Sequence, residues 1–244
     1  MALVNDDIRS SGSEALSVRE QFLERTIEQF ARTGPGRFNP GQIARDLGVT
    51  VAMINHYFGS RYGLISEGAY VVYARYIDEM FDAITTAPRV PEERLRAWIR
   101  TQIAVARRVG AWGIVLNYPT LALKESLAFD PKYRALMSAK FDVNLARLAQ
   151  LILDVKAGSV SSNEITEENA DLKNFLLNPA LVALGSSIAM STLGAAVWTA
   201  GSHAPSADSA EAHQRAEFVI QAHIENLIHQ AKTYDLGPET GFVR

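Results

Sequence analysis

Apolar side chains recur at intervals of three to four residues along most of this chain, which is the period of an α-helix. The first such stripe holds Phe22, Leu23, Ile27, Phe30 and Ala31. Similar stripes follow residues 60, 91, 130 and 209, whereas the alternation typical of β-strands is scarce. We find no internal repeat of fixed period. The pattern therefore predicts an all-α fold.

Capping residues indicate where the long helices begin. Ser17 and Glu20 have the spacing of a capping box, in which each side chain bonds to a free backbone amide of the first turn. Proline is well tolerated at the first helical position, where its missing N–H has no helical partner anyway. Further helix starts are predicted at Ser60, Pro91, Asp130-Pro131 and Ser209, the helix after Asp130 running to about residue 155.

A short helix is predicted at residues 40–47. Asn39 and Pro40 are typical of an N-cap followed by the first helical position. Gly48 then stands where a left-handed backbone ends a helix without steric cost.

A second short helix is predicted from residue 51 to about 57, with Thr50 as its N-cap and Ile54 as its inward residue. Ala44 is small at the point where the two helices would touch, four residues before Gly48. Two short helices joined by a glycine-containing turn form a helix-turn-helix unit, which lays its second helix in the major groove of DNA.

The local charge agrees with DNA binding. The whole chain has a net charge of −3, but residues 32–62 contain four arginines against one aspartate, a local charge of +3. Neutralising DNA phosphates supplies most non-specific affinity, so a basic segment inside an acidic protein is the expected pattern. The charged residues of this segment are Arg32, Arg37, Arg45, Asp46 and Arg61.

Residues 48–64 read GVTVAMINHYFGSRYGL, which resembles the signature of TetR-type transcriptional regulators. The resemblance covers residues 17 to about 66. It implies an all-α homodimer with a three-helix DNA-binding domain and a larger carboxy-terminal domain that binds a small molecule and dimerises. It also implies that ligand binding releases the operator DNA.

The resemblance assigns phosphate contacts to Thr50, Tyr57 and Arg61, where arginine replaces the family's usual lysine. The positions at which the family reads bases are apolar here, so they can contact thymine methyl groups but cannot form bidentate hydrogen bonds. Part of the specificity is therefore expected from DNA shape. The base-reading positions are Val51, Ala52 and Met53, and the available polar residues are Arg37, Asn39, Gln42, His56 and Asn55, which replaces the family's usual tyrosine.

Four segments are predicted along the chain. They are a flexible arm at 1–16, a helix-turn-helix DNA-binding domain at 17–66, a helical ligand-binding and dimerisation domain at 67–234, and a tail at 235–244. Residues 1–13 lack the basic start and long apolar run of an export signal, so a cytoplasmic location is expected.

Residues 179–201 form an uncharged stretch that is long enough to cross a bilayer. Its hydroxyl residues and the lack of a flanking basic cluster instead favour a buried or dimer-interface helix, and no membrane partner is expected. Together with residues 209–232 it predicts an intersubunit four-helix bundle, with packing inside one chain as the alternative. The predicted interface residues are Gly185, Ala189, Gly194, Ala216, Val219, Ile220, Ile224 and Leu227.

Aromatic and amide residues on the middle helices are candidates for an effector pocket, because pockets are mostly apolar with a few placed polar groups. Each of them has ordinary core packing as an alternative. No charged cluster marks an anionic ligand, so the expected effector is largely apolar or aromatic. The candidates are Trp112, Asn117, Tyr118, Met137, Phe141, Asn144, Phe175 and Trp198.

Catalysis and cofactors are not expected. The chain has no cysteine, which excludes thiolate metal sites and a cysteine nucleophile, and none of its histidines form an i,i+4 metal-binding pair. Gly185-Ser186-Ser187 does not fit a nucleophile elbow.

The sequence therefore predicts a ligand-responsive transcriptional regulator, more specifically a repressor, that binds a palindromic operator as a homodimer. Two alternatives stay open. One is a DNA-binding regulator controlled by a protein partner without a small-molecule effector. The other is a helical protein that binds apolar ligands.

Overall fold

The computed structural model describes residues 16–33, 38–109, 130–166, 169, 178–201 and 210–237, and every ordered element in them is an α-helix. The all-α prediction is confirmed. In chain order the helices are α1 (Val18–Thr33), α2 (Pro40–Asp46), α3 (Ala52–Phe58), α4 (Arg61–Thr86), α5 (Pro91–Val109), α6 (Pro131–Ala157), α7 (Pro179–Gly201) and α8 (Ala210–Thr233).

The predicted caps at Ser17, Asn39 and Ser60 are found in the structure. The Ser17 amide donates to Glu20 Oε2 at 2.8 Å, and the Glu20 amide donates to Ser17 Oγ at 3.3 Å, which closes the capping box of α1. The side chains of Asn39 and Ser60 accept from the Gln42 and Gly63 amides, each two or three residues into its helix. Ser209 lies outside the described residues.

Two predicted boundaries differ from the structure. The side chain of Thr50 does not cap α3; the N-cap is Val51, and only the Thr50 carbonyl takes part, accepting from the Met53 amide at 3.1 Å. A side-chain hydroxyl caps a helix when its residue occupies the N-cap position. Here the N-cap is one residue after Thr50, so the Thr50 hydroxyl does not cap α3. Helix α6 continues to Ala157 and ends at Gly158, whose φ is 67°.

One continuous core joins the helices. Helix α5 lies at its centre and packs against α1, α4, α6, α7 and α8. Trp98, Leu95 and Ile99 of α5 are completely or almost completely buried. Truncating a side chain of this kind to alanine costs about 2–5 kcal/mol, so this helix fixes the positions of the others.

Helix α4 is 26 residues long and takes part in both predicted domains. Its first turns, which include Leu64 and Gly68, pack against α1, and its later part, which includes Tyr73, Ile77 and Met80, packs against α5 and α6. At Gly68 the approach is close, because a β-carbon there would lie 3.2 Å from both the Phe30 ring and Thr26 Cγ2. The amino-terminal helices are therefore anchored to the remainder of the chain through α4.

Helix α7 includes the 18-residue segment Pro179–Ala196, which is long and apolar enough to cross a membrane. In the structure its residues Leu181, Leu184 and Ile188 are buried against the neighbouring helices. This is the packing of a core helix, and it agrees with the predicted buried helix. The opposite side of α7, with Ala183, Ser187, Met190 and Gly194, is exposed.

Candidate nucleic-acid interface

The turn between α2 and α3 sets the angle of the helix-turn-helix unit. Gly48 adopts φ of 67°, and its amide donates to the Arg45 carbonyl at 3.0 Å. The Val49 amide donates to the Ala44 carbonyl at 2.9 Å, which satisfies the end of α2. Ala44 and Ile54 are buried, as predicted, so the two short helices are held by their own core contacts.

The turn between α3 and α4 is equally constrained. Ser60 Oγ accepts from the Gly63 amide at 3.0 Å, which starts α4 directly after α3. A β-carbon on residue 63 would lie 1.9 Å from the Phe58 carbonyl oxygen, a distance that no side chain can occupy. Glycine at this position therefore lets the end of α3 pack on the first turn of α4.

One side of α3 faces solvent. Val51 is 52% exposed, and Ala52, Asn55 and His56 are exposed beside it. Met53 and Tyr57 are half-buried at the edge of the core. The structure thus brings the polar positions of α3 and two of the three predicted base-reading positions, all but Met53, onto one accessible surface, which we call the α3 surface. It consists of Thr50, Val51, Ala52, Asn55 and His56.

The exposed side of α2 carries a hydrogen-bonded chain. Asp46 Oδ1 accepts from Gln42 Nε2 at 2.6 Å, and Gln42 Oε1 accepts from Arg45 Nη2 at 2.7 Å. Asn39 is occupied by the helix cap, since its Oδ1 accepts from the Gln42 amide at 3.1 Å. Gln42 is therefore held in one orientation, with its remaining amide hydrogen free to reach a base or phosphate.

Arg61 has a positioning contact as well as a charge. Its Nη2 donates to the Phe38 carbonyl at 3.0 Å, and its guanidinium lies 5.7 Å from the centre of the Phe38 ring. The side chain fixes the approach to α2, and four of its five N–H donors remain for a phosphate. Arg37 lies outside the described residues.

Sequence reasoning missed two exposed residues beside this surface. Arg45 was counted in the local charge but was not placed in the site, although it stands three residues after Gln42 and so shares its face of α2. Tyr62, half exposed in the first turn of α4, gave no signal beyond its position next to Arg61.

A buried carboxylate links the amino-terminal helices to α6. Glu67 of α4 accepts from Arg19 of α1 at 2.5 Å and from the Tyr133 hydroxyl of α6 at 2.7 Å. The Arg19 guanidinium also lies 5.0 Å from the centre of the Phe58 ring at the end of α3. We call Arg19, Glu67 and Tyr133 the Glu67 cluster. Next to it the Asp130 amide donates to Ser66 Oγ at 3.0 Å.

The Glu67 cluster perturbs Tyr133. Burial, the hydrogen bond to Glu67 and the negative charge of that carboxylate together raise the pKa of the Tyr133 hydroxyl to about 12. The phenol is therefore a firm hydrogen-bond donor at neutral pH.

A cavity of about 70 Å³ lies between α5, α6 and α7. The predicted pocket residues Phe141 and Asn144 both line it, whereas Met137 is buried in the core and is not among the lining residues. Trp112, Asn117, Tyr118 and Phe175 lie outside the described residues, as does the side chain of Trp198. The other lining residues are Trp98, Gln102, Leu145, Ser186 and Ala189.

The predicted interface residues fall into two groups. Gly185, Ala189, Ile220, Ile224 and Leu227 are buried inside this single chain, because α7 and α8 pack their inner sides on α5 and α6. Ala216 is half-buried, and Gly194 and Val219 are exposed. Phe218, which the sequence did not single out, is 74% exposed.

Residues 22–67 match the family model described as bacterial regulatory proteins, tetR family. No curated protein matches this chain. Among solved structures, a protein of unknown function from Rhodococcus sp. RHA1 is similar with a TM-score of 0.61 and 15% identity, covering 90% of this chain and 98% of its own. A TetR/AcrR-family transcriptional regulator from Thermobifida fusca YX-ER1 is similar with a TM-score of 0.52 and 19% identity, covering 86% and 96%.

AibR in complex with isovaleryl coenzyme A and operator DNA is a third similar structure, with a TM-score of 0.52, 16% identity and coverage of 84% of this chain and 96% of its own. These identities establish a shared all-α fold. The match over residues 22–67 falls on α1, α2, α3 and the first turns of α4, the segment that the sequence motif marked. Residues 22–67 therefore form a domain of the kind found in bacterial regulatory proteins of the tetR family.

Proposed function

We propose that this protein is a ligand-responsive repressor that acts in the cytoplasm, binds a palindromic operator as a homodimer and releases it when a small effector binds. The observation that carries the proposal is the α3 surface, an exposed face on a short helix whose two ends are fixed by Gly48 and Gly63. A rigid, exposed second helix of a helix-turn-helix unit is suited to the major groove.

Contacts to bases and phosphates divide along the α3 surface. Val51 and Ala52 present methyl groups, which favour thymine, while Asn55 and His56 present hydrogen-bonding groups to base edges. Thr50, Tyr57, Arg45 and Arg61 surround these positions and supply the phosphate contacts that orient the helix. With two apolar reading positions, DNA shape contributes part of the specificity.

The exposed sides of α7 and α8 form the proposed dimer face. Met190 is 49% exposed and Phe218 is 74% exposed, so both would leave water on association. Large exposed apolar side chains on adjacent helices are typical of protein interfaces. The face consists of Ala183, Ser187, Met190 and Gly194 of α7 with Phe218, Val219 and Ala222 of α8. It replaces the buried Ile220, Ile224 and Leu227 as the centre of the predicted interface.

The effector would bind in the domain formed by residues 67–234. AibR, which has the same fold, was solved in complex with isovaleryl coenzyme A and operator DNA, and this supports a fold that has a site for a small molecule as well as one for DNA. The Glu67 cluster offers a route between the two sites, because Tyr133 of α6 and Arg19 of α1 contact the same carboxylate. Displacing α6 would therefore disturb the support of α3.

Fluorescence anisotropy with DNA tiled across the regions flanking its own gene tests the proposal. Tight binding to one fragment that weakens steeply with salt is expected. Arg45→Ala should weaken binding to every fragment and reduce the salt slope by about one. Arg108→Ala is the matched control, because this exposed arginine of α5 pairs with Glu79 of α4 and belongs to neither α2 nor the α3 surface. An affinity for DNA that changes neither with salt concentration nor on Arg45→Ala substitution would contradict a DNA-binding function.

A further inference from the structure

The cavity between α5, α6 and α7 contains a buried polar group without a partner. Gln102 of α5 is 1% exposed, and its Oε1 receives no hydrogen bond. Leaving a buried carbonyl oxygen unpaired is unfavourable, and such groups in proteins are commonly kept for a ligand or water. Gln102 lines the cavity, so its amide is available to a molecule bound there.

A second amide in the cavity has a defined orientation. Trp98 Nε1 donates to Asn144 Oδ1 at 3.2 Å. Indole N–H groups can only donate, so the atom facing Trp98 must be the oxygen of the Asn144 amide. The Asn144 Nδ2 group is consequently left as a donor. The cavity thus offers one unpaired acceptor, on Gln102, and one donor, on Asn144.

Among the described residues that line the cavity, none carries a charged side chain. Trp98, Phe141 and Leu145 supply apolar surface, and Ser186 adds a hydroxyl near the exposed side of α7. An ionised ligand would lose its hydration here without gaining a counter-charge, which disfavours carboxylates and ammonium groups. At about 30 Å³ for each water-sized group, a volume of about 70 Å³ accepts about two such groups.

We propose that this cavity binds a neutral molecule through a hydroxyl group, which donates to Gln102 Oε1 and accepts from Asn144 Nδ2, with its apolar part against Trp98, Phe141 and Leu145. A hydroxyl can donate and accept at once, which matches both amides. Phe141 and Leu145 are only half-buried, so a longer ligand can extend past them. That this cavity is the effector site rests on the proposed function. That it binds a neutral hydroxyl compound does not.

Titration of the full-length protein with 1-butanol, followed by the indole ¹H–¹⁵N resonance of Trp98, tests the inference. Trp98→Phe assigns that resonance among the three indoles of the chain. Diethyl ether has the same atoms but no hydroxyl hydrogen, and butyrate carries a charge. We expect 1-butanol to shift the Trp98 resonance and to bind roughly three- to tenfold more tightly than either control compound.

Gln102→Leu should weaken 1-butanol binding roughly three- to tenfold while leaving diethyl ether binding unchanged. Its melting temperature should be equal to or above that of the unmodified protein, because the unpaired carbonyl is gone; this measurement also verifies folding. Gln221→Leu on α8, where the glutamine bonds to Arg100 and Glu225, is the matched control. Equal binding of alcohol and ether, equal binding to Gln102→Leu, tighter binding of butyrate, or no shift of the Trp98 resonance would each overturn the inference.

Operator release is measured separately by anisotropy at the same 1-butanol concentrations. If 1-butanol binds in a Gln102-dependent way but does not release the operator, the cavity is a ligand site. Its role as the effector site would then be contradicted. Salt-dependent operator binding without any 1-butanol binding would overturn the ligand site and leave the DNA-binding function in place.

Discussion

The Phe58 carbonyl oxygen occupies the space that a side chain on residue 63 would need, since the two would be 1.9 Å apart. Gly63→Ala must therefore push α3 away from α4 or break the first turn of α4. We expect a loss of unfolding free energy of more than about 2 kcal/mol and strongly weakened operator binding. Urea unfolding followed by circular dichroism measures the first, and Tyr62→Ala, at an exposed neighbour, is the control. Equal stability of the two variants would contradict the close approach.

Titration of Tyr133 makes the free energy of unfolding depend on pH in the alkaline range. Its pKa of about 12 lies above the ordinary value of 10 because burial and Glu67 favour the protonated phenol. The folded state keeps this proton between pH 10 and 12 while the unfolded state loses it, so the stabilisation is complete below pH 10 and is lost as pH rises towards 12. The difference in unfolding free energy between the unmodified protein and Tyr133→Phe should shrink over this range. A difference that stays constant with pH would contradict the assignment.

At the scale of single elements, we expect different residues around α3 to discriminate between bases and to bind the DNA backbone. Asn55→Ala removes a hydrogen-bonding group from the α3 surface but no charge, so we expect about 1–3 kcal/mol less discrimination at one base pair of each half-site. The salt dependence of binding should not change. Anisotropy with single-base variants of the operator measures both. A uniform loss of affinity across all operator variants would instead indicate that Asn55 contacts the backbone.

The segment after α6 is held by buried ions. Glu164 accepts from Arg94 of α5 at 2.7 Å and from Arg147 of α6 at 3.2 Å, and both arginines are buried. Burial lowers the pKa of the Arg147 guanidinium and the Glu164 charge opposes that change. Glu164→Gln leaves two buried cations without their carboxylate, so we expect a loss of about 3–5 kcal/mol in urea unfolding.

Glu79→Gln provides the comparison for this prediction. Glu79 pairs with Arg108 at the surface, where an ion pair contributes about 0–1 kcal/mol. If both variants lost the same small amount, the Glu164 pair would behave as an exposed one.

An element could be predicted from the sequence where the contacts that define it join residues close together along the chain. The caps at Ser17, Asn39 and Ser60 involve partners three residues away, so the sequence predicted them. The Thr50 cap was wrong because α3 begins one residue later than predicted. A shift of one residue hardly changes the local sequence pattern, so the pattern does not fix the first residue of the helix. The helix-turn-helix unit was predictable for a related reason, since Ala44, Gly48 and Ile54 all act within 11 residues.

Contacts between distant segments gave no such signal. Glu67 lies 48 residues from Arg19 and 66 residues from Tyr133, and Arg94 lies 70 residues from Glu164. Gln102 reads in the sequence as an ordinary polar residue among arginines and apolar residues. Its burial follows from α5 lying at the centre of the core, which requires all neighbouring helices to be placed first.

At the scale of the whole molecule, the proposed dimer face predicts a change in assembly. Phe218→Asp places a charge at the most exposed apolar position of α8, where association would have to bury it. We expect a monomer by size-exclusion chromatography with light scattering and operator binding weakened by at least about tenfold, because each half-site is then bound alone. Val90→Asp, at another exposed apolar residue before α5, is the control. A Phe218→Asp variant that stays dimeric would place the interface elsewhere.

Helix α4 has a practical consequence for dissecting the protein. A cut at the predicted domain boundary, residue 66, would sever α4 within its second turn and separate Ser66 and Glu67 from each other. The amino-terminal piece would lose the α4 surface on which Phe22 and Phe30 pack, including the close approach at Gly68, and the remaining piece would begin with a frayed helix end. The two predicted domains thus share one folding unit. Domain exchange between relatives would succeed only with a junction placed beyond the last turn of α4, with α1 to α4 transferred together.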